Sequence, residues 1–76
     1  MNTKVLEYTV ILHRDEEFRG YWVEVPTLPG CVSQGKSKEE ALKNIKEALK
    51  LHLECMREDG EEIPKEESYK VAVEAG

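Results

Sequence analysis

The amino-acid sequence predicts a two-layer α+β domain with element order β-β-β-α-β. Two observations carry this. Apolar residues alternate along 4–14 and again along 21–25, the two-residue period of half-buried strands. Farther on, Ala41, Leu42, Ile45, Ala48, Leu49, Leu53 and Met56 repeat with the 3.6-residue period of an amphipathic helix. One such helix laid on one apolar face of a small antiparallel sheet makes a stable two-layer domain.

The first strand is expected over residues 4–14. Leu6, Tyr8, Val10 and Leu12 share one face; Val5, Thr9, Ile11 and His13 share the other. Asp15 to Gly20 is charged and ends in glycine, which suits a hairpin loop. The second strand is expected over 21–25, with Tyr21, Val23 and Val25 on one face and Trp22 and Glu24 on the other. Pro26 lacks an amide donor and ends regular pairing. Thr27 to Gly30 reads as a turn, because Pro29 presets its φ and Gly30 tolerates positive φ. A short third strand follows over 31–34.

The helix is expected from about residue 38 to 59, roughly 33 Å long. Ser37 and Glu40 form the S-x-x-E capping box, in which each side chain bonds the other residue's amide. Gly60 is placed to close the helix in the left-handed conformation. An acidic connector over 61–67 leads to a last strand, Tyr69-Lys70-Val71-Ala72-Val73.

A chain of 76 residues forms one domain with a thin core, so self-association is expected. The net charge of -5 argues against a free nucleic-acid binder and suits a basic protein partner. The two cysteines, Cys31 and Cys55, follow no signal peptide and read as reduced, cytoplasmic thiols that behave as small buried hydrophobes. No apolar run approaches the ~20 residues that cross a bilayer.

Laid end to end, the chain resembles the N-terminal domain of HicB-type antitoxins. The residues that carry the resemblance are Tyr8-Thr9-Val10-Ile11, the run Gly20 to Pro26, Leu28-Pro29-Gly30-Cys31 with Gln34-Gly35, Ser37 with Glu39-Glu40-Ala41-Leu42, and Asn44 to Leu49. The resemblance implies a truncated ribonuclease-H-like fold of three antiparallel strands, a helix and a further strand. It also implies a partner, a small HicA-type toxin that cleaves RNA with a catalytic histidine on a double-stranded-RNA-binding-like fold. Many members carry a C-terminal operator-binding domain; residues 1–76 are expected to form a single HicB-like domain without one. His52 stands where relatives often carry a large aromatic.

A two-metal nuclease needs several convergent carboxylates. Here the only aspartates are Asp15 and Asp59, and the strand acids are Glu7 and Glu24, so no enzyme activity is expected. His52 and Cys55 have H-x-x-C spacing, but structural zinc takes four ligands, so His52 reads as a half-buried ring with a hydrogen-bond partner. No cofactor or metal is expected. Lys43, Lys46, Lys50 and Arg57 make a basic helix stripe, which i,i+4 pairs Glu39–Lys43 and Lys50–Glu54 would neutralise. The alternative reading, a homo-oligomeric nucleic-acid-binding or regulatory module, uses Lys43, Lys46 and Lys50. The preferred partner-binding residues are Ile11, Trp22 and Glu24 on the sheet face that the helix leaves bare, with Glu16 and Glu17 as an acidic steering pair. What covers that face, a toxin or a second copy, is left open by the residues themselves.

Overall fold

A computed structural model describes residues 5–76. Its centre is strand β2, Gly20–Glu24, paired antiparallel on one side with β1, Ile11–Asp15, and on the other with β3, Val32–Gly35. The sheet order is β1-β2-β3. Helix α1, Lys38–Glu58, packs across one face, mainly on β3 and β2.

Each junction has a local cause. At the β1–β2 hairpin the Asp15 carboxylate accepts from the amides of Glu17 and Phe18, both at 3.1 Å, and Arg19 closes the loop at φ 57°. Between β2 and β3 the Val25 amide donates to the Cys31 carbonyl and the Cys31 amide to the Leu28 carbonyl, both at 3.0 Å. Gly30 takes φ 89° there, a conformation that a side chain would strain. At the helix start the Glu40 amide donates to Ser37 Oγ at 3.1 Å. At its end the Glu61 amide reaches the Met56 carbonyl and the Gly60 amide the Arg57 carbonyl, with Gly60 at φ 73°, which is a Schellman closure.

The core is small: Val23, Val25, Leu28, Cys31, Ala41 and Ile45 are buried, with Leu12, Tyr21, Leu49 and Leu53 packed around them. Gly35 sets the distance between the layers. A Cβ at Gly35 would lie 2.4 Å from the Ala41 backbone nitrogen, so only a residue without a side chain lets β3 pass under the first turn of α1. Burial pushes the Cys31 thiol above its ordinary pKa, which keeps it uncharged and poorly nucleophilic.

The α+β architecture, three antiparallel strands and one helix, agrees with the sequence reading, and several details differ. The first ladder begins at Ile11, where the sequence suggested residue 4, which lies outside the described residues. The reason lies in the partner strand: Ile11 faces Glu24, both backbone groups of Val25 turn to the 27–31 segment, and the next residue, Pro26, has no amide to offer β1. β3 runs one residue later than expected, to Gly35. Only half of the capping box forms, since the Glu40 carboxylate makes no hydrogen bond back to Ser37. Cys55 is exposed, and His52 is half-buried without a hydrogen-bond partner among the described residues. The expected helical ion pairs Glu39–Lys43 and Lys50–Glu54 are not closed; among the described residues the His13–Glu24 hydrogen bond is the one contact with the geometry of an ion pair.

The largest correction is the further strand. Residues 69–73 join no ladder, and Tyr69, Val71 and Val73 are each 82% exposed. Their alternation is that of a strand, but a strand needs an edge to bond. The chain before them is held elsewhere: the Tyr8 hydroxyl donates to the Pro64 carbonyl at 2.6 Å, and Glu66 accepts from the Thr9 amide at 2.7 Å and from the Thr27 hydroxyl at 3.0 Å.

Candidate functional site

Strand alternation places the candidate residues. Tyr21 and Val23 point to α1, so Trp22 and Glu24 point away from it. Register then fills in the neighbours. Glu24 stands between Ile11 and Val32, and Trp22 between His13 and Gln34. Two cross-strand rows of three side chains therefore make up the bare face of the sheet. Its apolar members, Ile11, Trp22 and Val32, are 42%, 37% and 56% exposed.

The centre of this face is organised. The His13 and Trp22 rings stack with centroids 4.0 Å apart and planes 14° from parallel. His13 Nε2 lies 2.7 Å from Glu24 Oε2, so the carboxylate fixes the imidazole that supports the indole. A side chain held in this way loses little rotamer freedom on binding, which favours an interface anchor. The second oxygen of Glu24 has no hydrogen-bond partner among the described residues and can accept from a cation beside the indole.

The face thus brings together Ile11, Trp22 and Glu24 from the sequence reading. His13, Val32 and Gln34 were missed as members of it. The signal for His13 was present in the loop length: once Asp15 is opposite Gly20, His13 must be opposite Trp22. Glu16 and Glu17 do not join this patch. They sit in the hairpin loop at the end of the sheet, both exposed, and Glu16 lines a shallow cleft with Arg14, Arg19 and Lys36. The acids there are interleaved with cations, so the field they project is weaker than the sequence cluster suggests.

Among the described residues no three His, Cys, Asp or Glu side chains converge as a metal-binding group. Among them too, no helix is long and apolar enough to cross a membrane. What the outer face offers is adhesive chemistry: a pinned aromatic, two exposed aliphatics and a half-buried carboxylate.

Comparison with known proteins gives a consistent picture. The family described as HicB-like antitoxin of bacterial toxin–antitoxin systems matches residues 8–75. A UPF0150 protein of Thermoplasma acidophilum is 46% identical over 71 residues, which is 92% of this chain and 100% of that protein. A protein of Photorhabdus laumondii named Antitoxin HicB 1 is 41% identical over 61 residues, 80% of this chain but only 39% of that longer protein. An uncharacterised 14.9 kDa protein of Haemophilus phage HP1 is 54% identical over 46 residues, covering 60% of this chain and 35% of the phage protein.

Proposed function

The chain belongs to the HicB-like antitoxin family of bacterial toxin–antitoxin systems, and from that premise we propose that it binds and occludes a small RNA-cleaving HicA-type toxin through the outer face of its sheet. The observation that carries the reading is the pinned Trp22 between exposed Ile11 and Val32, with the Glu24 carboxylate alongside. An exposed apolar patch centred on a rigid aromatic is the usual form of a binding hot spot. Binding is stoichiometric and non-catalytic, and takes place in the cytoplasm. The net charge of -5 complements a basic, RNA-handling partner and accelerates its approach. Glu24 meets a cation of the toxin at the centre of the contact, and Glu16 and Glu17 act at longer range from the hairpin.

The test pairs this protein with the product of a short basic reading frame beside its own. RNA cleavage by that product should cease at equimolar antitoxin, and calorimetry should show a saturable complex. The competing reading, a nucleic-acid-binding module, draws on Lys43, Lys46 and Lys50, none of which is ion-paired among the described residues. Salt-dependent RNA binding by the isolated protein, together with failure to inhibit the toxin, would favour it.

A further inference from the structure

The C-terminal arm is extended beyond the body of the domain. The radius of gyration is 14.8 Å, against about 11 Å for a compact chain of this length. Within the arm, Tyr69, Val71 and Val73 alternate with Lys70 and Ala72, so an extended backbone carries its three large apolar side chains on one side. All three are in solvent.

A second feature lies unfilled on the same molecule. The latter half of α1 and the segment before β1 wall a groove of about 430 Å³. Leu6, Tyr8, Leu49 and Leu53 form its apolar lining, and Lys46, Lys50 and Arg57 stand on its rim with Glu54. The arm matches this groove in charge as well as polarity. Glu67 and Glu74 flank its apolar residues where the groove rim is cationic, and its single internal cation, Lys70, is matched in charge by Glu54 on that rim.

The arm of the same chain does not fill this groove: Tyr69, Val71 and Val73 lie in solvent, and the segment before them is held by Pro64 at Tyr8 and by Glu66 at Thr9 and at Thr27 in the β2–β3 turn.

We infer that two copies of this chain exchange C-terminal arms, Tyr69, Val71 and Val73 of each copy filling the groove lined by Leu6, Tyr8, Leu49 and Leu53 of the other. The contact is reciprocal, as a two-fold dimer requires, and exchange of a terminal element is a low-cost route to it. The sequence period of residues 69–73 is then explained: it is a strand whose edge belongs to another molecule. The outer sheet face takes no part, so dimerisation and toxin capture are separable.

Sedimentation equilibrium of the full chain tests the inference. The wild type should be dimeric, Val71→Asp should raise the dimer dissociation constant at least tenfold with unchanged helical circular dichroism, and Trp22→Ala should leave it unchanged. In a Cys55→Ser background, Val71→Cys with Leu53→Cys should oxidise to a disulfide-linked dimer. A wild type that stays monomeric at hundreds of micromolar overturns the inference. So does a dimer indifferent to Val71→Asp, or a cysteine pair that closes within one chain or fails to close between two.

Discussion

Replacing Trp22 by alanine separates the face that binds from the face that folds. Trp22 leaves 37% of its surface in solvent. With about 250 Å² for a tryptophan side chain, that is roughly 90 Å² for a partner to cover, or about 2 kcal/mol at ~25 cal/mol per Å². Binding to the toxin should therefore weaken roughly thirtyfold. Folding loses stability too, because the rest of the side chain, roughly 160 Å², is already covered by its cross-strand neighbours and the His13 ring, so binding is compared under conditions in which both variants are folded. Val23→Ala is the control. Val23 is fully buried against α1, so losing two methyl groups there costs about 2 kcal/mol of stability once the residual cavity is included. Binding by calorimetry and urea unfolding on both proteins give the comparison. If Trp22→Ala unfolds more readily than Val23→Ala while toxin binding holds, the outer face is structural and the interface assignment fails.

Other perturbations follow from single contacts. Ser37→Ala removes the bond to the Glu40 amide and should cost on the order of 1 kcal/mol in urea; Glu40→Ala should cost clearly less, since its carboxylate does not complete the box, and equal losses would contradict this. Gly35→Ala drives a Cβ into the Ala41 backbone and should destabilise by about 1–3 kcal/mol, where an unchanged midpoint would show that the helix can step away from β3. Hydrogen bonds from the Thr9 side chain and amide hold the Glu66 carboxyl below the ordinary glutamate value, so its anchoring is fully present above that value and is lost as pH falls through the lower, folded one. The Thr9 amide resonance should report a midpoint on the acid side of ordinary glutamate, and a midpoint at or above it would refute the clamp. Glu16→Gln with Glu17→Gln should slow toxin association and flatten its salt dependence while leaving dissociation unchanged; a faster dissociation would put these side chains inside the contact.

Some of this was legible in the residues and some was not. The two faces of β2 could be read because a strand's period is two and Val23 and Val25 have only one helix to bury against. Ser37 announced the helix start because an N-cap is a local event. Pairings were harder. The His13–Trp22–Glu24 cluster depends on cross-strand register, which the loop from Glu16 to Arg19 sets and no periodicity reveals. The length of β1 could not be read from β1, since its ladder stops where the partner strand reaches Pro26, which has no amide to donate. Residues 69–73 show the same limit most plainly. Alternation says what a segment would do if given an edge, and says nothing about which molecule supplies it.

The alternation of β2 also bears on how such proteins diversify. Gly20–Glu24 holds Tyr21 and Val23 for one neighbour and Trp22 and Glu24 for another within five residues. The first pair packs toward α1, and on the proposed function the second pair answers to the toxin with which a copy is paired. On that reading, a genome carrying several such toxin–antitoxin pairs can keep them from cross-reacting by varying Trp22 and Glu24 with their neighbours Ile11, His13, Val32 and Gln34, while Tyr21 and Val23 stay bound to the fold, as does Gly20, where a Cβ would meet the Gly35 carbonyl. Discrimination and folding then occupy opposite sides of the same short stretch of backbone.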